Sequence, residues 1–257
     1  VAAALVVLGN ELFLIGIGTG NPDHLTGEAR RAIADTDLFL IPRKADKSDL
    51  AALRTQIIAD VRDDARIAYF DMPVRDDALP YLQRVEAWHD AIAHLWTSAM
   101  AAHPHATRVA LLVWGDPSLY DSTLRIAGRL NPARTVRVIA GITAVQALTA
   151  AHAIPLNAVN APVTISTGRR LRDTGWPDGC NTLVVMLDGS CEFQNLDGAG
   201  FDIWWGAYLG MPEQILMHGR LGDVCDEIIA TRATAREAHG WIMDTYLLRP
   251  VRALPAK

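Results

Sequence analysis

The sequence predicts an α/β protein of two domains, each with a roughly five-stranded sheet. Three observations predict it. Short, unbroken apolar runs recur along the chain, the pattern of strands buried on both faces. In the first half they alternate with segments of helical period, as successive βαβ units do. The 257 residues are more than one domain of about 100–150 needs. Half of the residues are hydrophobic and 21% are charged, an ordinary globular balance. A net charge of −5 argues against nucleic acid as the main partner, so a small-molecule ligand is expected.

Cys180, Cys191 and Cys225 are an odd count without paired spacing. They indicate neither a disulfide framework nor a metal site, and a reducing cytoplasm is the expected compartment. No apolar run approaches the roughly 18 residues that cross a bilayer, so no membrane partner is expected. The opening Val1–Gly9 is apolar but short and lacks a basic leader; it does not fit a signal peptide. Residues 1–10 are read as an upstream extension and take no part in the fold argument.

The first strand, from Leu12 to Ile15, enters the loop Gly16-Ile17-Gly18-Thr19-Gly20. A helix from about Thr26 to Asp35 follows, then a short strand, Leu38 to Ile41, ended by Pro42. Leu50, Leu53, Ile57, Ile58 and Val61 mark a second helix, and Arg66 to Phe70 a third strand. A long helix from Tyr81 to Ala101 carries the stripe Val85, Trp88, Ile92, Leu95 and Trp96. Its histidines, His89 and His94, and His103 and His105 just beyond it, are read as structural, with no metal site. The run from Arg108 to Trp114 is a buried parallel strand that stops at Gly115-Asp116-Pro117 before the helical pattern from Thr123. Asp116 and Pro117 are expected to pre-shape the first helical turn. A fifth strand, Thr135 to Ile139, leads to a helix from Thr143. Five strand patterns close one sheet, which divides the chain into domains 11–140 and 141–257. The second holds strand patterns at 163–166, 182–187, 203–208, 215–218 and 241–246, with a helix from Leu221 to Arg232 before the last.

Two turns invite a ligand. A dinucleotide fingerprint fails in the first loop: its third glycine falls one position early, and the next strand ends in Pro42-Arg43 instead of an acidic ribose partner. The common Rossmann-type methyltransferase loop lacks its acidic residue here, and no Gly-Lys-Ser/Thr makes a phosphate loop. Gly115-Asp116-Pro117 lies where open α/β sheets bind ligands, at a strand's carboxyl end, and reads as the floor of a cofactor site. By itself the stretch fits an ordinary strand-to-helix turn as well.

The order of motifs resembles the tetrapyrrole methyltransferases of corrin and siroheme biosynthesis. The resemblance is carried by the first glycine loop with Asn21-Pro22-Asp23-His24-Leu25-Thr26, Gly115-Asp116-Pro117, Gly141-Ile142-Thr143-Ala144, Ile154-Pro155-Leu156, and Gln214 through Leu221. Longer segments, among them Val113 to Leu124, Thr167 to Leu171, Val185 to Gly189, Trp205 to Gly210 and Gly240 to Tyr246, are similar to the deacetylating members of that family. One departure is Gly18-Thr19-Gly20 where relatives often read Gly-Pro-Gly, so Thr19 stands where the resemblance puts a proline. The resemblance implies two α/β domains around a cofactor cleft, S-adenosyl-L-methionine as cofactor with S-adenosyl-L-homocysteine as product, and a homodimer. It also implies a reaction: methylation of ring carbon C1 of precorrin-5 with release of the C20 acetyl group as acetate. Other readings left open are a relative acting at a different ring carbon and a non-catalytic tetrapyrrole carrier.

The resemblance places the cofactor at Thr19, Trp114, Gly115, Asp116, Leu119, Thr143, Ala144, Met186, Leu187 and Leu209. For Met186 and Leu187 plain strand core is the competing reading. Acetate release calls for a base and for donors to an oxyanion. Tyr120 and Asp121 rank first as catalytic candidates because they follow Gly115-Asp116-Pro117 directly; Asp188, His218 and His24 are the others. A polycarboxylate substrate calls for basic groups, and Arg43, Arg169 and Arg170 are the substrate-binding candidates, with Lys44 and Arg75 as further loop-borne cations.

Overall fold

The computed structural model describes residues 10–43, 48–76 and 78–251; the proposed extension, except Asn10, and Lys44 lie outside them. The chain forms two compact units, one ending at Thr143 and the other beginning at Ala144, where the sequence placed the division after residue 140. The first unit runs β1 (Glu11–Gly16), α1 (Gly27–Ala34), β2 (Leu38–Arg43), α2 (Ser48–Ala59), β3 (Ile67–Asp71), α3 (Tyr81–Ala101), β4 (Arg108–Val113), α4 (Thr123–Ala127) and β5 (Thr135–Ile139). The strands form one parallel sheet in the order β3-β2-β4-β1-β5.

Alternation along the strands builds a core on each face. Leu12, Leu14, Leu38, Leu40, Val109, Leu111 and Val113 pack with Ile92, Trp96 and Met100 of α3 and with Ile126 of α4. Phe13, Ile15, Phe39, Ile41, Ala110 and Leu112 pack with Ala29 and Ile33 of α1 and with Ile57 and Ile58 of α2. Each such side chain contributes roughly 1.5–3 kcal/mol by leaving water, which is why the strands read as unbroken apolar runs. Neighbouring strands β1 and β4 therefore send their chains to opposite faces, β1 into α1 and β4 into α4. Such a reversal opens the crevice in which α/β sheets bind ligands.

Two local expectations need correction. β2 continues through Pro42 to Arg43. Phe39 N donates to Arg66 O and Met72 N to Arg43 O, so odd-numbered residues of β2 point their backbone groups at β3. Pro42 faces the β4 side, where pairing has ended at Phe39, and its missing N–H removes no ladder bond. Likewise, Asp116 and Pro117 do not form the first turn of a helix. α4 starts only at Thr123, and residues 114–122 form a loop.

His89 of α3 is 3% exposed, and neither ring nitrogen has a hydrogen-bond partner. Burial, and after it the charge of Arg129, hold the imidazole below its ordinary value; Glu86 opposes, while Arg125 and Arg75 add to it. In the unfolded chain the ring takes up a proton near pH 6.5, which the folded state resists. Stability is therefore lost as pH falls below about 6.5. His89→Leu is expected to raise the melting temperature more at pH 5.5 than at pH 8; equal differences at both would exclude the linkage.

The second unit runs α5 (Ala144–Ala151), β6 (Thr164–Thr167), α6 (Gly168–Thr174), β7 (Leu183–Met186), β8 (Phe201–Ala207), β9 (Ile215–Arg220), α7 (Leu221–His239) and β10 (Asp244–Pro250). Its sheet has the order β6-β7-β10-β8-β9. Only β6 and β7 pair in parallel; the other pairs are antiparallel. α7 extends seven residues beyond the expected Arg232, from 232 to 239, and the last strand begins at Asp244 instead of Trp241. Gly240, in the left-handed region at φ 72°, ends the helix, and Trp241 and Ile242 pack on the core as loop residues. Among the described residues no helix is long and apolar enough to cross a membrane.

Candidate active site

At the carboxyl ends of β1, β4 and β5 the backbones of four glycines, Gly16, Gly18, Gly115 and Gly141, lie in contact. Gly18 N donates to Gly115 O at 3.3 Å and Gly115 N to Gly18 O at 2.6 Å, bridging the two loops. A Cβ on Gly141 would lie 2.0 Å from Gly115 O and 2.8 Å from Gly16 Cα. Gly115 has φ 63°, a conformation that favours glycine; a Cβ there would meet nothing closer than Thr143 Cα at 3.7 Å. The turn thus presents backbone without a side chain, which permits close approach by another group.

Asp116 staples this arrangement. Its Oδ1 accepts from the Ser118 amide at 2.8 Å and from the Ser118 hydroxyl, and its Oδ2 accepts from Gly141 N at 2.9 Å. Burial works to raise its pKa, but the hydrogen bonds from Ser118 and Gly141 outweigh it and carry the carboxyl below the usual carboxylate value. Thr19, buried in the first loop, shares a 3.0 Å hydrogen bond with His24 Nδ1, which gives His24 a role in the loop. Leu119 N closes the turn onto Asp116 O at 3.2 Å. Tyr120 follows at φ 50°, exposed. Asp121 Oδ1 accepts from the amide and hydroxyl of Thr123 at 2.6 and 2.5 Å, so it also secures the start of α4. Thr143 stands beside Gly115, and Ala144 opens α5.

β7 and β8 both run antiparallel to β10, so their carboxyl ends share one end of the second sheet, with Thr167 of β6 beside Met186. That end gathers the candidates Arg169, Arg170, Met186, Leu187 and Leu209. Leu187 is 68% exposed at φ 53°, which removes the strand-core reading for it. Met186 is half-buried and still within β7. Leu209 is buried behind Tyr208, itself at φ 49°. Non-glycine residues with positive φ carry strain of about 1–3 kcal/mol that surrounding structure must hold. Asp188 does so beside Leu187: it accepts from Ser190 N, from Glu192 N at 2.7 Å and from the Tyr246 hydroxyl at 2.6 Å. It is thereby a structural anchor. Arg169 and Arg170 lie in the first turn of α6, both exposed.

Of the remaining cations, Arg43 is paired with Asp71 at 3.1 Å and lies over the Tyr69 ring, and Arg75 stacks on Trp88 at 4.2 Å. His218 is exposed on β9, 5.9 Å from the His152 ring. Sequence reasoning missed Arg54 of α2, which donates from Nε to Leu112 O at 3.0 Å and from Nη1 to Leu50 O at 3.1 Å. The signal was its spacing: Arg54, Ile57, Ile58 and Val61 recur at i, i+3, i+4 and i+7, on the inward stripe. Among the described residues no group of three or more His, Cys, Asp or Glu could hold a metal ion.

The tetrapyrrole (corrin/porphyrin) methylase family matches residues 11–225, most of the chain. The chain belongs to that family. This methylase is 45% identical over 248 residues to precorrin-6A synthase [deacetylating] of Sinorhizobium sp, an alignment covering 93% of this chain and 95% of the relative. It is 31% identical over 177 residues to precorrin-2 C(20)-methyltransferase of the same source, covering 63% and 69%. The crystal structure of the cobalamin-synthesis-related protein CobF from Corynebacterium diphtheriae superimposes with a TM-score of 0.82 at 38% identity, covering 95% of this methylase and 100% of that chain. Uroporphyrin-III C-methyltransferase from Thermus thermophilus, solved with S-adenosyl homocysteine, shares the fold at a TM-score of 0.57 and 19% identity, covering 93% and 97%. The chain is a methyltransferase with the tetrapyrrole methylase fold.

Proposed function

We propose that this methylase acts as a deacetylating precorrin-6A synthase, methylating ring carbon C1 of precorrin-5 and releasing its C20 acetyl group as acetate. Precorrin-6A, on the aerobic cobalamin route, is the product. The observation that carries this reading is the 45% identity to the Sinorhizobium enzyme across nearly the full length of both chains. S-adenosyl-L-methionine as donor and a cytoplasmic homodimer as working form complete the proposal. The thiols Cys180, Cys191 and Cys225 are free, which supports a reducing compartment.

The residues present fit that donor. The backbone at Gly115, held at φ 63° and without a side chain, allows the close approach such a cofactor needs. We assign it to backbone groups of Trp114, Gly115 and Asp116, which a change of the Trp114 side chain leaves in place, with Leu119, Thr143 and Ala144 and with Thr19 beside the first loop; Met186, Leu187 and Leu209 are the cofactor candidates of the second unit. When bound, the cofactor supplies an electrophilic methyl group on a sulfonium. The protein's share is orientation, which in well-aligned systems is worth roughly 7–11 kcal/mol of barrier. Asp116 contributes by fixing the turn, because both of its oxygens are engaged by Ser118 and Gly141. For acetate release, in which water adds to the acetyl carbonyl and the bond to C20 breaks with its electron pair passing to the ring, we assign the Asp121 carboxylate, its Oδ1 held by Thr123, as base toward the water and the Tyr120 hydroxyl as donor to the oxyanion. Arg43, Arg169 and Arg170 receive substrate carboxylates.

Incubation with precorrin-5 and methyl-labelled donor tests the reading. The expected result is one labelled methyl gained and one acetate released per product. A methylated product that keeps its acetyl group would assign the chain to another ring carbon, and bound pigment without donor consumption would make it a carrier; either overturns the proposal.

A further inference from the structure

The geometry points to a carboxylate-binding subsite formed by Arg54 and Trp114, which takes an acetate or propionate side chain of the tetrapyrrole. The inference rests on the proposed function for the identity of its ligand, and on the first unit alone for its geometry. Arg54 leans from α2 toward the carboxyl end of β4, its guanidinium carbon 5.3 Å from the centroid of the Trp114 ring. Two of its donors are held by the main-chain oxygens of Leu112 and Leu50, which fix the direction of the side chain and leave the Nη2 edge without a described acceptor. No carboxylate among the described residues forms an ion pair with it; Asp121 acts on its charge from a distance. Trp114 Nε1 is sealed from water and has no hydrogen-bond partner. The guanidinium edge and the indole N–H lack the same thing, an acceptor.

Leaving a buried donor unsatisfied and a cation desolvated without a counterion is unfavourable. Burial accordingly pulls the Arg54 pKa down to about 10, with Asp121 opposing, so the group is still charged at neutral pH and waits for an anion. A carboxylate matches what is missing: it accepts from a guanidinium edge with charge-assisted hydrogen bonds and has lone pairs left for a second donor. The neighbourhood extends the same chemistry. Thr55, next to Arg54, touches the Tyr69 hydroxyl at 3.4 Å, and Arg43 lies over the Tyr69 ring at 5.3 Å. Arg43 at the end of β2 and Arg54, reaching from α2 to the end of β4, thus each lie over an aromatic ring, and both are cations that can pair with carboxylates. Trp114 then has two duties: its backbone borders the bare glycine turn and its side chain holds the substrate's anion. Such a junction would set the macrocycle's position against the turn.

Two sources could supply the carboxylate, the tetrapyrrole or the amino-acid end of the methyl donor, and the test separates them. Arg54→Gln and Trp114→Phe, the latter removing only the N–H from the aromatic platform, are compared with the wild-type full-length protein. The measurements are KM for precorrin-5, uroporphyrin III binding by fluorescence, and S-adenosyl-L-homocysteine binding by calorimetry. Arg54→Gln is expected to weaken tetrapyrrole binding about 10- to 100-fold, the value of a lost charge-assisted hydrogen bond, and Trp114→Phe several-fold, both with homocysteine-product affinity within about twofold of wild type. Unchanged tetrapyrrole affinity in either variant overturns the subsite, and so does a loss confined to S-adenosyl-L-homocysteine, which would give the site to the donor. Equal loss of both ligands with a lowered melting temperature would make the pair structural and also overturn it. If the wild-type protein itself forms no methylated, deacetylated product from precorrin-5, it is the functional reading that fails instead.

Discussion

Gly141→Ala is expected to lower the thermal midpoint by about 6–12 °C and to abolish S-adenosyl-L-homocysteine binding. The new methyl carbon would sit 2.0 Å from Gly115 O and 2.8 Å from Gly16 Cα, and neither neighbour is a side chain that can swing away. Both are backbone atoms, one in β1, buried from Leu12 to Gly16 and flanked by β4 and β5, the other hydrogen-bonded to Gly18. The chain at Gly141 must therefore retreat, and in retreating it breaks the 2.9 Å bond from its own N–H to Asp116 Oδ2. Overpacking of this kind costs about 3 kcal/mol, equivalent to the stated change in midpoint for a chain of this size. The binding effect is larger than the stability effect because the displaced atoms are those that shape the turn around Gly115. An unaltered affinity in a variant of lowered stability would separate the glycine contact from the cofactor site; unaltered stability would remove the contact itself.

Gly115-Asp116-Pro117 was legible as a turn at a strand end because the pattern is local: a run of strand length, then residues that end it. Its partners were not. That Asp116 reaches Gly141, twenty-five residues on, depends on β1 lying between β4 and β5, and no spacing in the chain encodes that. The parallel sheet of the first unit was easy to read because α-helices cover both its faces, so its inner strands β1, β2 and β4 are almost continuously apolar. The second sheet was harder at its last strand. Trp241 and Ile242 look like strand residues but are apolar for another reason: they close the core from a loop, with Trp241 edge-on to Tyr208 at 5.3 Å. Leu187 and Tyr208 carry no sequence mark of their left-handed backbone, which only their anchors explain. Arg54 escaped because a charged residue on an inward stripe reads as surface until its partners are seen to be main-chain oxygens.

Asp244→Ala is expected to cost the protein about 3–5 kcal/mol, the range for removing one partner of a buried ion pair, whereas the paired replacement Arg232→Met with Asp244→Leu is expected to be markedly less damaging. In the second unit Arg232 donates from Nε to Asp244 Oδ2 at 2.9 Å and from Nη2 to Oδ1 at 3.3 Å, with both side chains only 11% and 8% exposed. Burial opposes the charge of Arg232, yet its hydrogen bonds to Asp244 hold the guanidinium above its ordinary pKa. Take the aspartate away and the cation remains buried with Asp188 O, 3.1 Å from Nη2, as its acceptor, while Trp205 Nε1 loses its 3.0 Å partner. Removing the cation as well eliminates the charge that has to be compensated, so most of the loss should return. The consequence reaches the candidate site through Asp188, whose main chain Arg232 holds and whose carboxylate fixes the loop after Leu187. Donor-product affinity should therefore fall in Asp244→Ala along with stability. Chemical unfolding followed by circular dichroism, with calorimetric binding of S-adenosyl-L-homocysteine, measures both. A double variant as unstable as the single one would show that the pair's geometry, not the uncompensated charge, is what the second sheet depends on.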